Sequence, residues 1–330
     1  MNKIKLMTIV GTRPELIRMS SILKKFEKYF DHKLIHTNQN YDTNLNDIFF
    51  KDLNIKKPDR IFENKTNSPI KAIANILVNT ERAINKYKPQ IIFILGDTNS
   101  SISAIVAKRK NIPVFHYEAG NRCNDLRTPE ETNRKIVDHI SSINITYSNL
   151  AKNNLVREGL RPEFIFNVGS PLFEVFNNNK KKISNSKILN KLKLNRNKFI
   201  IASFHREENV DNKENLKIIV NILNSIAQNF PFKIVVSTHP RTKEKILSLN
   251  KTIINKKIIF SRPFNFSDYN CLQKNSFYVL SDSGSINEES SILGFDGINL
   301  RYTHERPEAD EELVTIKTLN VQTILNLIRQ

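Results

Sequence analysis

The chain has 330 residues, a length that corresponds to about two domains at roughly 150 residues per domain. Hydrophobic residues make up 39% and charged residues 25% of the sequence, a balance that excludes a wholly disordered, fibrous or collagenous protein. The two cysteines, Cys123 and Cys271, lie far apart without CxxC or Cys/His ligand spacing. We therefore expect no disulfide framework, no structural metal site and a reducing, cytoplasmic compartment.

The formal net charge is +18, from 51 Lys and Arg residues against 33 Asp and Glu residues. The basic residues are spread over the whole length without an Arg-rich stripe, so we expect no nucleic-acid partner. A solvated basic surface is the main interpretation, and a field that attracts an anionic ligand, including a nucleotide, is the alternative. No stretch approaches the roughly 20 apolar residues of a spanning helix, and no cleavage site follows the apolar start. We expect neither a membrane segment nor a signal peptide.

Short apolar, β-branched runs recur along the chain, and most are separated by segments with helical periodicity. This alternation is typical of parallel strands covered by helices on both faces. The predicted fold class is α/β, with two doubly wound sheets. The eleven predicted strands are KLMTIV, HKLIH, IIFIL, PVFHY, INITY, FIFNV, FIIAS, KIVVS, KIIF, YVLS and GINL.

A polar, charged segment at residues 177–198 divides these strands into two groups and is typical of an interdomain connection. We expect an N-terminal domain at residues 1–176 and a second domain at residues 177–308. The apolar residues of LNVQTILNLIRQ repeat at helical spacing. They predict a terminal helix within residues 309–330 that packs back on the first domain.

In doubly wound sheets, ligands bind beyond the carboxyl ends of the strands. The first predicted strand runs into GTRPE at residues 11–15, where Thr12 and Glu15 have capping-box spacing. Arg13 and Arg18 lie at or near the positive end of the following helix, where cations are disfavoured unless an anion binds. Since neither GxGxxG nor a P-loop motif is present, this helix start is a candidate anion site.

A second candidate follows YVLS, in the segment SDSGSINEES. Backbone N–H groups and small hydroxyl residues at a helix N-terminus can hold a diphosphate without a P-loop lysine. The candidates for this cradle are Ser283, Gly284 and Ser285. Ser285 and Glu288 have capping-box spacing, so Glu288 is expected to be structural. Glu289 has no such explanation and is predicted to accept hydrogen bonds from a ribose diol.

Acidic residues follow two strands of the first domain. Asp97 follows IIFIL, Glu118 follows PVFHY, and Glu130 stands in the PEETNR segment beyond. Paired carboxylates in one cleft supply a proton acceptor and a proton donor, although each alone is also typical of a helix cap or first turn. The supporting residues expected beside these acids are Asn121, Arg122 and Arg134. His116 with Glu118 resembles half of a zinc deaminase motif, but no PCxxC follows, so we predict no metal.

In the second domain, FIIAS is followed by His205 and Arg206, and KIVVS is followed by His239. His205 is predicted to act as a general acid or base or to stabilise a leaving group. Arg206 and His239 are expected to support the site. The HERPE segment places Arg306 where it would line or gate the nucleotide.

The segments GTRPE, GDTNS, EAGNR with PEETNR and DH, HREEN, SDSGSINEES and HERPEA occur in this order across nearly the whole chain. Together they resemble the motifs of the non-hydrolysing UDP-sugar 2-epimerases. The resemblance implies two Rossmann-like domains facing across a cleft, as in the GT-B glycosyltransferase fold, and a homodimer without metal or other cofactor. The UDP ligands that it implies are Arg13, Arg18, Ser283, Gly284, Ser285 and Glu289. It also implies catalysis by Asp97, Glu118, Glu130 and, on the second domain, His205.

Such an enzyme would eliminate UDP to give a 2-acetamidoglycal and then add UDP back, because direct deprotonation at C2 would leave an unstabilised carbanion. This chemistry needs acid/base groups for both faces of the sugar and firm binding of the diphosphate. Both requirements match the candidate residues described above.

The substrate expected is UDP-2-acetamido-2,6-dideoxy-L-talose, converted to UDP-N-acetyl-L-fucosamine for capsule or O-antigen polysaccharide. EAGNR resembles that branch more than the EAGLR typical of enzymes acting on UDP-N-acetylglucosamine. UDP-N-acetylglucosamine, giving UDP-N-acetylmannosamine, is the alternative substrate. A retaining UDP-sugar glycosyltransferase and a catalytically silent nucleotide-sugar sensor are the alternative functions, because fold alone does not decide function.

Overall fold

The computed structural model describes residues 3–39, 43–64, 66, 68–123, 128–238, 240–249, 254–300 and 315–329. The chain divides into two compact units, Met1–Asn178 and Asn179–Gln330. Each unit contains one parallel sheet with helices in the connections between its strands. The predicted doubly wound α/β class is therefore confirmed. None of the helices in these residues is long and apolar enough to cross a membrane.

The first unit contains a seven-stranded parallel sheet with strand order β3-β2-β1-β4-β5-β6-β7. Its strands are β1 Lys5–Val10, β2 Asp31–His36, β3 Arg60–Ile61, β4 Ile91–Leu95, β5 Val114–Tyr117, β6 Ile143–Thr146 and β7 Ile165–Asn167. Its helices are α1 Arg13–Tyr29, α2 Thr43–Asp52, α3 Pro69–Tyr87, α4 Ser103–Arg109, α5 Pro129–Ile140, α6 Asn149–Arg157 and α7 Leu172–Ser184, and α7 runs into the second unit. Short 3₁₀ helices span Asn99–Ile102 and Pro162–Phe164.

The second unit contains a six-stranded parallel sheet with strand order β10-β9-β8-β11-β12-β13. Its strands are β8 Phe199–Ser203, β9 Lys233–Ser237, β10 Ile258–Ser261, β11 Tyr278–Ser281, β12 Gly297–Asn299 and β13 Thr315–Lys317. The helices are α8 Ile188–Lys191, α9 Glu207–Val210, α10 Lys213–Asn229, α11 Pro240–Ser248, α12 Phe266–Asn275, α13 Ile286–Leu293 and α14 Val321–Arg329.

All eleven predicted runs form strands, and most of their apolar residues are buried. The edge strand β7 is less covered, and its Phe166 is 49% exposed. The two strands that the sequence analysis did not predict are short and lie at sheet edges. β3 has two residues, and β13 has three. Neither carries an apolar run long enough to be distinguished from a loop.

The polar segment at residues 177–198 differs from the expected connection, because much of it is helical. Helix α7 extends to Ser184, and helix α8 spans Ile188–Lys191. Val175 and Ile183 are buried on α7, and Ile188 is buried on α8, so the few apolar residues lie on packed faces. Most of the Asn and Lys residues are exposed, although Asn179 is buried.

The terminal helix α14 packs in the second unit, not on the first domain as we expected. Its buried residues Ile324, Leu325 and Ile328 join the core that α10 forms with β8, β9 and β11. Their spacing places all three on one face of the helix, and the apolar face of α10 covers that face. The helix itself was predicted correctly.

Candidate functional site

The strand order reverses between β1 and β4 in the first sheet and between β8 and β11 in the second. Ligands of doubly wound sheets bind at such reversals, beyond the carboxyl ends of the strands. The segments that follow these four strands begin at Gly11, Gly96, Phe204 and Asp282. They include most of the residues that the sequence analysis singled out.

The turn after β1 is held by Glu15, which forms the predicted capping box with Thr12. One oxygen of the Glu15 carboxylate accepts hydrogen bonds from the backbone N–H groups of Gly11 and Thr12, at 3.0 and 2.7 Å. The other oxygen accepts from the hydroxyl of Thr98, beyond β4, at 3.1 Å. Burial raises the pKa of Glu15 to about 7, against the lowering effect of these hydrogen bonds. Glu15 therefore ties the turn after β1 to the end of β4.

Gly11 is required by close packing in this turn. A Cβ atom at this position would collide with the hydroxyl oxygens of Ser100 and Thr37, which hydrogen-bond each other at 2.8 Å. The backbone of the GTRPE segment thus lies directly against the 3₁₀ helix that follows β4.

The two arginines of α1 have different surroundings. The guanidinium of Arg13 lies 5.8 Å from the ring centroid of Phe49 on α2. Nη1 of Arg18 lies 3.4 Å from Oε1 of Glu118, and its guanidinium lies 5.7 Å from the ring centroid of Tyr147. The structure therefore brings Arg18 to a predicted catalytic carboxylate, and the UDP role of both arginines stays a prediction.

Glu118 immediately follows β5 and adopts a left-handed backbone conformation, with φ of 71°. A non-glycine residue in this region costs about 1–3 kcal/mol and persists only where its surroundings hold it. Strands β4 and β5 are hydrogen-bonded neighbours, and an added Cβ at Gly96 would lie 3.5 Å from Oε2 of Glu118. The Glu118 carboxylate therefore lies against the backbone that leads to Asp97.

Asp97 is held by residues of α5. The buried guanidinium of Arg134 bonds Asp97 through Nη2 and Glu131 through Nη1. The side-chain amide of Asn133 donates to the backbone carbonyl of Asp97 at 2.9 Å. Glu130 lies in the first turn of the same helix and is partly exposed. Arg134 was predicted as a supporting residue, and the buried Glu131 that it contacts was missed.

Arg122 forms ion pairs within the first unit. Its Nε lies 2.6 Å from Oε1 of Glu158, and its Nη1 lies 2.7 Å from Oδ2 of Asp138. The same Nη1 donates to the backbone carbonyl of Asn121 at 2.6 Å, and Asn121 is itself buried. These contacts give Arg122 a structural role and give no direct support to contact with a sugar. The one sequence signal for Asp138 was its place in the DH pair of the motif series.

In the second unit, Asp282 organises the segment that contains His205. Its buried carboxylate accepts the backbone N–H groups of His205 and Arg206, each at 3.0 Å, and the side-chain amide of Asn209 at 3.0 Å. Its Oδ1 lies 3.1 Å from Nδ1 of His205. Burial alone would raise the pKa of Asp282, but the hydrogen bonds from His205, Asn209 and Arg206 lower it below the ordinary value. Asp282 is therefore a carboxylate that orients the imidazole.

The serine segment, residues 283–285 after β11, differs in one detail from the prediction. Ser285 precedes α13 but makes no side-chain capping hydrogen bond, so the expected capping box with Glu288 is wrong. Instead, the hydroxyl of Ser285 donates to Oε1 of Glu289 at 2.6 Å, and Nε2 of Gln273 donates to Oε2 at 2.7 Å. Glu289 is better placed than Glu288 to accept this hydrogen bond, because its side chain lies one helical turn beyond Ser285. Gly284 lies between Ser283 and Ser285, whose hydroxyl oxygens are 2.9 Å apart.

A chain of hydroxyl groups holds the backbone of this segment at Ser283. The hydroxyl of Tyr269 lies 2.6 Å from Oγ of Ser203, which lies 3.0 Å from Oγ of Ser281. Oγ of Ser281 accepts the backbone N–H of Ser283 at 3.1 Å. Burial raises the pKa of Tyr269 further above its ordinary value, so the chain consists of neutral hydroxyl groups. Sequence reasoning missed Tyr269 because it lies on α12, outside every strand end.

Two predicted supporting residues, His239 and Arg306, lie outside the described residues. Within the part of the chain that the structure describes, no group of three or more His, Cys, Asp or Glu side chains could hold a metal ion. The site residues that it does describe form two sets. One contains carboxylates and arginines at the ends of β4 and β5, and the other contains a serine segment and a histidine–aspartate pair at the ends of β11 and β8.

The sequence model of the family described as UDP-N-acetylglucosamine 2-epimerase matches residues 24–329. The curated UDP-N-acetylglucosamine 2-epimerase of Methanocaldococcus jannaschii is 38% identical over 321 residues, which cover 93% of this chain and 86% of that protein.

Solved structures agree with the sequence comparison. The UDP-N-acetylglucosamine 2-epimerase of Rickettsia bellii is 41% identical with a TM-score of 0.91, over 99% of this chain and 87% of that one. The M. jannaschii enzyme in complex with UDP-GlcNAc and UDP is 36% identical with a TM-score of 0.91, over 99% of this chain and 92% of that one. This chain therefore belongs to the UDP-N-acetylglucosamine 2-epimerase family and is an isomerase, a non-hydrolysing UDP-sugar 2-epimerase.

Proposed function

We propose that the chain epimerises UDP-N-acetylglucosamine at C2 and forms UDP-N-acetylmannosamine. The observation that carries the proposal is the placement of Asp97 and Glu118 beyond neighbouring strands, each beside an arginine. A nearby arginine favours the charged form of a carboxylate, which accepts protons. The solved M. jannaschii relative, 36% identical to this chain, holds UDP-GlcNAc and UDP, which supports this sugar.

The proposed reaction has two balanced steps. A carboxylate removes the proton from C2, the electron pair of the C–H bond forms the C1=C2 double bond, and the C1–O bond breaks with its electrons leaving on UDP. A phosphate oxygen of UDP then attacks C1, and C2 takes a proton on the opposite face. No net oxidation occurs, and proton transfer by a positioned carboxylate contributes about 10²–10⁴-fold to such rates.

We assign the carboxylates Asp97, Glu118 and Glu130 of the first unit to proton transfer. We assign the serine segment and Glu289 of the second unit to UDP, together with Arg13 and Arg18 of the first unit, with the ribose on Glu289. His205, oriented by Asp282, is assigned to the diphosphate leaving group, where a ring N–H stabilises the negative charge that develops on oxygen. The proposed domains are the first unit for acid/base chemistry and the second for the nucleotide.

A second candidate substrate is UDP-2-acetamido-2,6-dideoxy-L-talose, which would give UDP-N-acetyl-L-fucosamine for capsule or O-antigen polysaccharide. The observation in its favour is Asn121 in the EAGNR segment, three residues beyond Glu118. Asn121 is buried and its carbonyl binds Arg122, so it shapes the backbone beside Glu118. A pocket built for a methyl group rejects an added hydroxyl by only about a hundredfold.

The experiment that tests the proposal compares kcat/KM for the two UDP-sugars with the same protein, without any acceptor sugar. The proposal predicts a higher kcat/KM for UDP-N-acetylglucosamine. A higher value for the L-talo substrate would shift the assignment to the second candidate. Release of free sugar or UDP without an epimer would contradict both.

A further inference from the structure

Asp138 of α5 contacts the chain on both sides of Glu118. Its Oδ1 lies 2.9 Å from Nδ1 of His116, two residues before Glu118. Its Oδ2 accepts the backbone N–H of Gly120, two residues after Glu118, at 3.2 Å. Asp138 and His116 are both fully buried. One carboxylate therefore anchors both sides of a residue whose backbone is left-handed.

The ring of His116 faces an oxygen acceptor at each nitrogen. Nε2 lies within hydrogen-bond distance of the backbone carbonyl of Gly96, at 2.9 Å, and a carbonyl oxygen can only accept, so Nε2 carries a proton. The Nδ1 contact with Asp138 departs from a linear hydrogen bond. The two contacts hold the ring between the end of β4 and the carboxylate of Asp138 on α5.

Asp138 has two further partners that hold it in place. Nη1 of Arg122 lies 2.7 Å from its Oδ2. Asn144 on β6, the partner of His116 in the sheet register, donates its amide to the backbone carbonyl of Asp138 at 2.9 Å. The buried carboxylate that faces His116 is therefore fixed by contacts from two other segments.

The contact with Gly96 extends the cluster to the second predicted catalytic residue. Gly96 precedes Asp97, and its backbone N–H donates to the carbonyl of Tyr117 at 2.9 Å. The His116 ring thus bridges the end of β4 and, through Asp138, the segment around Glu118. Gly120 has φ of 80°, and a Cβ there would collide with the carbonyl of Ala151, so the far end of this segment is also held in place.

We propose that the buried ring of His116, held between Asp138 and the Gly96 carbonyl, acts as a clamp that positions Asp97 and Glu118 for proton transfer. His116 and Asp138 are positioning residues, since they reach the substrate only through the two carboxylates. The proposal rests on the proton-transfer roles assigned above to Asp97 and Glu118. It adds the residues that set the distance between the two carboxylates. Proton transfer depends steeply on such distances.

The test uses His116→Gln and Asp138→Asn, which keep nearly the same size and lose the contact between the ring and the carboxylate. We expect kcat to fall about 10- to 100-fold in each, the usual effect of losing an outer supporting contact. KM and the Kd for UDP are expected to stay within about twofold, since neither residue is assigned to UDP. His32→Gln is the matched control. His32 lies on β2 of the same sheet, is also buried, and pairs with the carboxylate of Glu27 on α1. It should retain wild-type kcat.

Near-normal kcat in folded His116→Gln and Asp138→Asn would overturn the proposal. So would an equal loss in His32→Gln, since that would indicate a general packing effect. A measurement on the wild-type protein covers variants that do not fold: ¹⁵N NMR should show a proton on Nε2 of His116, where the ring meets the Gly96 carbonyl. An Nε2 without a proton would overturn the clamp. Absence of epimerase activity in the wild type would contradict the proposed function instead, and the ring spectrum would still test the contact with Gly96.

Discussion

Nδ1 of His205 lies 3.1 Å from Oδ1 of Asp282, and the same carboxylate accepts the backbone N–H of His205. Asp282 is fully buried, whereas half of the His205 side chain is exposed. The carboxylate therefore holds Nδ1 and leaves Nε2 as the nitrogen for the proposed contact with the leaving group. A carboxylate behind a histidine fixes its tautomer and its orientation.

We predict that Asp282→Asn lowers kcat about 10- to 100-fold, because the amide no longer orients the His205 ring as the carboxylate does. Steady-state kinetics on the preferred UDP-sugar measures this. Asp211→Asn is the control, because Asp211 is an exposed acid of the same unit that pairs with Lys245. A kcat within twofold of wild type in Asp282→Asn would show that His205 does not need this partner.

Asp97→Asn, Glu118→Gln and Glu130→Gln are each expected to lower turnover by about a hundredfold, the scale of a positioned acid or base, with UDP affinity largely unchanged. The adjacent acids Glu130 and Glu131 of α5 should differ in their effect on the free energy of unfolding. Glu131 is buried against Arg134 and accepts the backbone N–H of Cys123 at 2.9 Å. Glu131→Gln is expected to cost about 3 kcal/mol of unfolding free energy by urea titration, and Glu130→Gln almost none. Full activity in all three catalytic variants would refute the proton-transfer assignment.

Glu289→Ala and Arg13→Ala should weaken UDP binding itself. A hydrogen bond between a carboxylate and a ribose hydroxyl contributes about 1.5–3 kcal/mol, so the Kd from calorimetry should rise about 10- to 100-fold in Glu289→Ala. Glu288→Ala removes the same group one residue earlier and serves as the control. Unchanged affinity in Glu289→Ala would place the ribose elsewhere.

His36 predicts a pH dependence of stability. It is buried at the end of β2, and its Nδ1 accepts the backbone N–H of Asn38 at 3.0 Å, which requires a neutral ring. Burial lowers the pKa of His36 to about 4, from about 6.5 in an unfolded chain. The contribution of His36 to the free energy of unfolding is complete above about pH 6.5. This contribution is lost as the pH falls towards 4, because the unfolded chain then binds a proton that the folded chain does not.

The loss attributable to His36 between about pH 7 and pH 4 should reach about 3 kcal/mol of unfolding free energy. Urea titrations at both pH values measure it. His36→Gln should lose less stability over this range than wild type by that amount, and His139→Gln, which changes an exposed histidine, should match wild type. Equal losses in wild type and His36→Gln would contradict the neutral, buried state of His36.

The sequence predicts the strand ends well, because an apolar run marks each buried strand and the residues after it are fixed at one edge of the sheet. Asp97, Glu118 and Ser283 were found in this way. Contacts between segments were not found, because they join residues far apart in the chain. Asp282 meets His205 across 77 positions, and Arg18 meets Glu118 across 100.

The same limit explains Arg122 and the last helix. The positive charge of Arg122 is visible in the sequence, but its partners Asp138 and Glu158 become neighbours only when α5 packs on β5 and α6 packs on β6. The periodicity of α14 predicts a helix with one apolar face and carries no information on which core receives it. Packing against α10 decided that.

The most direct test of the central claim is the fate of the C2 hydrogen in deuterated water. The purified protein is incubated with UDP-N-acetylglucosamine without an acceptor, and C2 is followed by NMR in both epimers. Elimination and re-addition of UDP through carboxylate acids and bases predicts deuterium at C2 of the UDP-N-acetylmannosamine formed, and of the substrate that is returned. An epimer that keeps its original hydrogen at C2 would contradict this account.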